Sequence, residues 1–324
     1  MNEAFINSIF SLKEADFEAA ALSIFRYQYQ QNEIYRAYTD QLRVKPPEVK
    51  ELQQIPFLPI QFFKTHRVTC GSFEPEVLFE SSGTTQTVNS QHLVKEVRIY
   101  EKSFRLAFEH FYGPVQGYRV IGLLPSYLER KHSSLVYMVK DMIEQSAHPQ
   151  SGFYLYEHDK LKQVLQDEQT PTLLIGVTFA LLDFADSHQL HLKNTIIMET
   201  GGMKGRREEW TRDEVHSFLS TRLGVQTIHS EYGMTELLSQ AYSKGGGKFD
   251  CPAWMKVLLR DESDPLDASL QRRSGVINVV DLANIFSCSF IATDDIGKLH
   301  PGGSFEVLGR LDQSALRGCS LMVS

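Results

Sequence analysis

Three short segments carry side chains whose types and spacing suit polyphosphate chemistry. In Leu78-Phe-Glu-Ser-Ser-Gly-Thr-Thr85 an apolar run breaks into Ser81, Ser82, Gly83, Thr84 and Thr85. Small residues leave backbone N–H groups unobstructed, and the hydroxyls add donors, which together make a phosphate cradle. In Glu231-Tyr-Gly-Met-Thr-Glu236, Tyr232 can stack on a purine, Thr235 can donate to a phosphate oxygen and Glu236 can hold Mg2+. In Glu199-Thr-Gly-Gly-Met-Lys-Gly205, Gly201 and Gly202 let a flat ring lie against the backbone, and Lys204 can meet an anion. Each segment also has an ordinary reading, as a Ser/Thr/Gly turn, a Gly-rich turn with an exposed lysine, or a strand end. His229, just ahead of the second segment, is readable as a proton shuttle or as a hydrogen-bonded core histidine.

Other chemistries lack an anchor. The Walker pattern fails because Gly247-Lys248 is followed by Phe249, and there is no GxGxxG, GxSxG or HExxH. A net charge of −7 argues against a nucleic-acid partner, which needs a basic surface. No apolar run approaches the ~20 residues of a membrane span, and the start, Met1-Asn-Glu-Ala-Phe, has no secretory-signal pattern. Four cysteines (Cys70, Cys251, Cys288, Cys319) are scattered without a CxxC pair, which disfavours disulfides and structural zinc and fits a reducing cytoplasm.

The elements that must position these residues read as α/β. Residues 3–45 have helical periodicity and end at Pro46-Pro47; the apolar segment 57–64 follows. The pattern predicts helices over 94–111, 133–145, 179–187 and 210–223, alternating with strands at 120–124, 172–176, 194–198 and 225–229. Such alternation predicts a parallel βαβ core. Beyond residue 250 short β pieces at 253–259, 275–281, 289–292 and 305–308 predict a smaller, more antiparallel subdomain. Lys244-Gly-Gly-Gly-Lys248 reads as a mobile loop, and Asp294-Asp295-Ile296-Gly297 as a turn.

The order of the motifs, closing on Thr293-Asp-Asp-Ile-Gly297 and Gly309-Arg-Leu-Asp312, resembles the adenylate-forming superfamily of acyl-CoA ligases and acyl-protein synthetases. Within it the chain resembles the acyl-protein synthetase family, typified by the synthetase component of the bioluminescence fatty-acid reductase, with phenylacetate-CoA ligases more distant. The likeness runs from Pro56-Phe-Leu-Pro-Ile-Gln-Phe-Phe-Lys64 through Gly201-Gly-Met-Lys204, Cys251-Pro-Ala-Trp254 and Phe290-Ile-Ala-Thr-Asp-Asp-Ile-Gly297 to Arg317-Gly-Cys-Ser-Leu321. The resemblance implies ATP and Mg2+ as cofactors. It implies adenine at Gly201, Gly202 and Tyr232, the α-phosphate at Thr235, the metal at Glu236, ribose at Asp295 and Arg310, and a hinge at Asp312. It also implies Cys319 as the residue that accepts the acyl group, with Arg317 favouring its thiolate.

The expected organisation is a large domain over 1–308, made of a helical lead-in (1–65), an α/β core (66–250) and a β-rich subdomain (251–308). A hinge and short tail (309–324) take the place of a full C-terminal lid, so the lid's catalytic lysine is expected to be missing; Lys204 or another basic group substitutes, or a partner supplies it, or positioning and Mg2+ alone carry adenylation. The phosphate loop departs from the ligase pattern after Thr85, which makes Lys95 and Arg98 candidate replacement cations. Met203 stands where such synthetases tend to carry an aromatic residue. The expected reaction is activation of a carboxylic acid, expected to be a fatty acid, as acyl-adenylate, then transfer to a thiol. The acceptor is Cys319 or, alternatively, a reductase, an acyl-carrier protein or coenzyme A. A non-catalytic nucleotide-binding subunit of a biosynthetic complex remains the alternative of a different class.

Overall fold

The computed structural model describes residues 2–81, 88–124, 132–201, 210–262 and 273–311. Helices α1 (Glu3–Ile9), α2 (Phe17–Gln31) and α3 (Glu33–Gln41) come first. They do not form the continuous stretch expected over 3–45. Asn32 leaves helical geometry at φ −103°, ψ 107°, and its side chain accepts from Tyr35 N to cap α3. Next come β1 (Leu58–Pro59), α4 (Phe62–Thr65), the hairpin β2 (Val77–Glu80) and β3 (Gln91–Val94), and α5 (Val97–Tyr112).

The central portion is β4 (Arg119–Leu123), α6 (Ser134–Ser146), β5 (Gly152–Phe153), α7 (His158–Leu165), β6 (Thr172–Val177), α8 (Thr178–Ser187), β7 (Thr195–Thr200), α9 (Arg212–Leu223), β8 (His229–Tyr232) and β9 (Ala241–Ser243). The chain continues through β10 (Lys248–Phe249), β11 (Met255–Arg260), β12 (Ser274–Asp281), β13 (Phe290–Leu299) and β14 (Phe305–Arg310).

The first sheet has the order β5-β4-β6-β7-β8-β9, parallel throughout except for β9. Every residue of β4 and β6 is buried, which is why both read as continuous apolar runs. From β4 the chain moves outward to β5, then crosses back to β6 on the other side of β4. That reversal opens a crevice at the carboxyl ends of the strands.

The second sheet, β10-β14-β13-β12-β11, is antiparallel, and β1 joins it in parallel at Ile291 and Ala292 of β13. Thus β1 and β10 enter the β-rich layer from outside 251–308, and β14 runs on to Arg310. A mutual bridge joins the two sheets, with Tyr242 N donating to Asp250 O at 3.1 Å and Asp250 N to Tyr242 O at 2.9 Å. The helical lead-in packs on the second sheet through Phe25, Tyr35 and Phe57 around the Phe290 ring, and Gln28 donates to Asn284 O and Ile285 O.

Two expectations fail for one physical reason. The strand expected at 225–229 begins instead at His229, because parallel pairing with β7 aligns Met198 with His229 and Thr200 with Glu231. Likewise Asp294-Asp295 is not a turn. It lies inside β13, where Asp295 pairs with Arg310 of β14. In both places the neighbouring strand, not the local sequence, decides the conformation. No described helix is long and apolar enough to cross a membrane.

Candidate functional site

A cavity of about 1140 Å³ opens at the carboxyl ends of β6, β7 and β8 and is closed on the far side by β13 and β14. Thr178, Thr200, Gly201 and Gly233 form its floor. Thr178 Oγ1 lies 3.0 Å from Glu199 Oε2 and 3.1 Å from Gly201 O, tying the ends of β6 and β7. Gly201 turns the chain out of β7 at φ 69°, a conformation that favours glycine.

On the wall shared with the second sheet, the Tyr232 hydroxyl donates to Asp295 Oδ2 at 2.9 Å, and Arg310 Nε donates to Asp295 Oδ1 at 2.9 Å. Tyr232 is buried, with its ring against Phe249 and Phe305. The Arg310 side chain is 73% exposed, while that of Asp295 is 9% exposed. Each carboxylate oxygen keeps a further lone pair, so Asp295 can still accept from two ligand hydroxyls.

The turn bearing Thr235 and Glu236 is clamped from behind. His92 Nδ1 lies 2.8 Å from Thr235 O and donates there, its Nε2 faces Asn284 Oδ1 at 3.1 Å, and Asn284 Nδ2 donates to Glu236 O at 2.8 Å. Burial pushes His92 down to about 4, opposed by its contacts with Thr235 O and Asn284 Oδ1, both of which favour the protonated ring. Farther along, the Asp281 carboxylate accepts from Leu238 N at 2.7 Å and Ser239 Oγ at 2.5 Å. Burial holds the Glu236 carboxyl above its ordinary value, opposed by a hydrogen bond from Ser90 and by the Arg310 and Lys64 charges. Ser90 in turn holds Ser81, since Ser81 Oγ accepts from Ser90 N at 2.8 Å.

Two more carboxyls line the floor. Burial raises Glu231 to about 7; Thr200 Oγ1 donates to it, opposing the rise, and the neighbouring Glu199 charge adds to it. Burial also works against the Glu199 charge, but hydrogen bonds from His216 and Ser230 and the Arg212 charge hold that carboxyl below its usual value. Arg212 does more than neutralise. It donates to Val307 O at 2.8 Å and lies over the Phe249 ring, fastening α9 to β14.

Ser81, Gly201, Tyr232, Thr235, Glu236, Asp295 and Arg310 therefore all line one cavity. Ser82, Gly83, Thr84, Thr85, Gly202, Met203, Lys204, Asp312, Arg317 and Cys319 lie outside the described residues. Lys95 and Arg98 do not line it. Lys95 sits over the Phe286 ring at 4.3 Å, and Arg98 pairs with Glu96 at 2.6 Å and Glu3 at 2.9 Å. Lys64 lines the cavity instead, as do Gly246 and Gly247 of the expected mobile loop. The His229 ring contacts Tyr112 Oη at 3.2 Å, as a hydrogen-bonded core histidine would.

Sequence reasoning missed His92, Asn284, Arg212 and Gln240. Only Gln240 carried a local signal, its place four residues beyond Glu236. The others act through contacts between segments far apart in the chain.

The family model "Acyl-protein synthetase, LuxE" matches residues 8–112. No curated protein sequence matches the chain. Among solved structures, an ATP-bound RpMatB-BxBclM chimera superposes with a TM-score of 0.55 at 16% identity, over 74% of this chain and 49% of the other. The long-chain-fatty-acid-CoA ligase FadD1 of Archaeoglobus fulgidus gives 0.54 at 12% identity, over 76% and 53%. O-succinylbenzoate coenzyme A synthetase (MenE) of Bacillus subtilis, in complex with ATP and magnesium ion, gives 0.52 at 15%, over 72% and 49%. At these identities the likeness establishes the fold, which is α/β and similar to that of adenylate-forming enzymes. The chain spans about half the length of the solved structures it matches.

Proposed function

We propose that this protein activates a carboxylic acid with MgATP and passes the acyl group to a thiol. The observation that carries the reading is the convergence of Tyr232, Thr235, Glu236, Asp295 and Arg310 on one cavity at the carboxyl ends of parallel strands. Residues 1–308 would form the adenylate-forming large domain and 309–324 a hinge and tail.

The donor set fits this assignment. Asp295, already oriented by Tyr232 and Arg310, would accept from the ribose hydroxyls, and the ring of Tyr232 with Gly201 and Gly202 would border the base. Thr235 and the hydroxyls and N–H groups from Ser81 to Thr85 would donate to phosphate oxygens, with Lys64 or Lys204 as counter-charges. Among the described residues no cluster of three or more His, Cys, Asp or Glu side chains could hold a metal alone. A single buried carboxylate, Glu236, suits Mg2+ that takes its remaining ligands from phosphates and water. Bound there, Mg2+ would neutralise phosphate charge.

Adenylation then joins a carboxylate oxygen to the α-phosphorus as the bond to pyrophosphate breaks. A thiolate next attacks the acyl carbon, AMP leaves with the bonding pair, and a thioester remains. Of the chain's four cysteines, Cys70 and Cys288 are buried and Cys251 half-buried. Burial raises all three thiols, Cys251 and Cys288 to about 12, so they are poor nucleophiles. That favours Cys319 as the acceptor. A fatty acid is the proposed substrate type, in keeping with the apolar Tyr100, Leu135 and Met138 on the cavity wall.

Intact-protein mass after incubation with MgATP and a panel of carboxylic acids, without added thiol, tests the reading. An acyl-sized gain, removed by neutral hydroxylamine and lost in Cys319→Ala, is the expected result. Pyrophosphate release without a mass gain would move the acceptor to coenzyme A, an acyl-carrier protein or a reductase. Nucleotide binding with no acid-dependent pyrophosphate release would leave a nucleotide-binding subunit.

A further inference from the structure

The turn that opens α4 is tied to the site from three directions. β1 pairs with β13 at Ile291 and Ala292, and Ile60 N donates to Ala292 O at 2.9 Å, on the strand that carries Asp295. Gln61 Nε2 donates to Asp294 Oδ2 at 2.5 Å. The buried Phe63 ring meets His92 of the clamp edge-on, with 5.8 Å between ring centres. Lys64 N donates to Gln61 O at 3.0 Å, so the turn is helical and Lys64 shares a face with Gln61, away from Phe63.

Among the described residues three cations line the cavity, Lys64, Arg212 and Arg310. Arg310 is bonded to Asp295, and Arg212 is held by Val307 O and the Phe249 ring. Lys64 is exposed, and no described carboxylate pairs with its ammonium group. Its charge nevertheless reaches the buried Glu236 carboxyl and favours the ionised form. Ser90, which bonds to Glu236, also holds Ser81 at the start of the phosphate loop. Mg2+ on Glu236 takes its other ligands from phosphates and water. A cation that faces this carboxylate without bonding to it therefore faces the same phosphates.

We infer that the Lys64 ammonium group binds the terminal phosphates of ATP, the pair released as pyrophosphate, which makes the helical lead-in part of the nucleotide site. The inference rests on the acid-activation reading and deepens it. As the substrate's carboxylate oxygen bonds to the α-phosphorus, the bond from that phosphorus to the bridging oxygen breaks, and its electron pair stays with pyrophosphate. Negative charge builds on the leaving group, where a positioned cation stabilises the transition state. Lysine meets phosphate as a point charge, so arginine can stand in for it and a neutral side chain of similar length cannot.

The test compares MgATP with MgAMP, which lacks the terminal phosphates, by isothermal titration on the full chain. Lys64→Met should weaken MgATP about tenfold or more, the loss of one hydrogen bond between charged groups, and leave MgAMP within about twofold. Lys64→Arg should keep most of the MgATP affinity. Equal weakening of both nucleotides, or of neither, would overturn the inference.

Should the variants fail to fold, reductive methylation of the wild type with peptide mass mapping decides the matter. Lys64 should be protected by MgATP and not by MgAMP, and protection by both or by neither would overturn the assignment. Acid-dependent pyrophosphate release, measured alongside, separates the two readings. The ATP–AMP difference without such release would support Lys64 while overturning acid activation. Release without the difference would overturn Lys64 alone. A wild type that binds neither nucleotide would overturn both.

Discussion

The Tyr232 hydroxyl donates to Asp295 Oδ2 at 2.9 Å, joining the end of one sheet to the middle of the other. Position 232 closes β8 of the parallel sheet, and Asp295 lies within β13 of the antiparallel one. The phenol proton is thus committed to the carboxylate proposed to bind ribose. Removing it in Tyr232→Phe should cost about 1.5–3 kcal/mol, the range for a hydrogen bond to a charged group, read by guanidinium unfolding. Nucleotide KM should rise as Asp295 loses one of its two orienting partners. Unchanged stability and KM would show that Arg310 alone orients Asp295.

The Arg310 bond to the same carboxylate should behave differently. With its side chain 73% exposed, Arg310 belongs to the class of ion pairs that add little to stability. Arg310→Ala should therefore leave the unfolding midpoint nearly unchanged, within about 1 kcal/mol, while weakening nucleotide binding. Equal losses of stability from Arg310→Ala and Tyr232→Phe would contradict this division.

Glu231 sets a pH dependence whose sign follows from its environment. Burial raises its carboxyl from 4.5 to about 7, so between those values the folded state holds a proton the unfolded chain has released. Its contribution to stability is complete below 4.5 and is lost as pH rises through 7, roughly 3 kcal/mol in all. His92, lowered to about 4, acts in the opposite sense below 6.5, and Asp281, raised to about 6, in the same sense as Glu231. The clean measurement is therefore a difference. Wild-type stability minus that of Glu231→Gln should fall from pH 5 to pH 8, and a flat difference would remove Glu231 as the titrating group.

The clamp behind Thr235 and Glu236 makes a further prediction. Asn284→Leu leaves Glu236 O facing apolar atoms, costing about 1–3 kcal/mol for an unpaired buried group. Freed backbone at Glu236 should also raise the Mg2+ concentration needed for half-maximal pyrophosphate release. A stability loss with an unchanged Mg2+ requirement would confine Asn284 to a structural role.

Gly233→Ala puts a methyl group against the Glu231 carboxylate and 3.3 Å from Gln240 Cγ. Overpacking of this kind costs about 1–3 kcal/mol, and KM for the acid should rise more than KM for nucleotide. An equal rise in both would mean that the acid does not pass this position.

What the sequence determined by itself is what depends on local patterning. Apolar runs at 120–123 and 173–177 are strands because both faces are covered, and the helices between them follow from 3.6-residue periodicity. The motif at 231–236 and the residues Asp295 and Arg310 could be named in advance because their types are chemically distinctive and follow in a family-like order. Tertiary structure alone decided the rest. Pairing with β7 put Glu231, and pairing with β9 put Tyr232, in a strand, and the flanking strands turned an apparent Asp-Asp turn into the middle of β13. Contacts between residues as far apart as His92 and Asn284 built the clamp, and packing around Gln240 left one oxygen unpaired. Neither has a local signature, because a hydrogen bond across a fold depends on where two backbones meet, and burial on everything that packs above them.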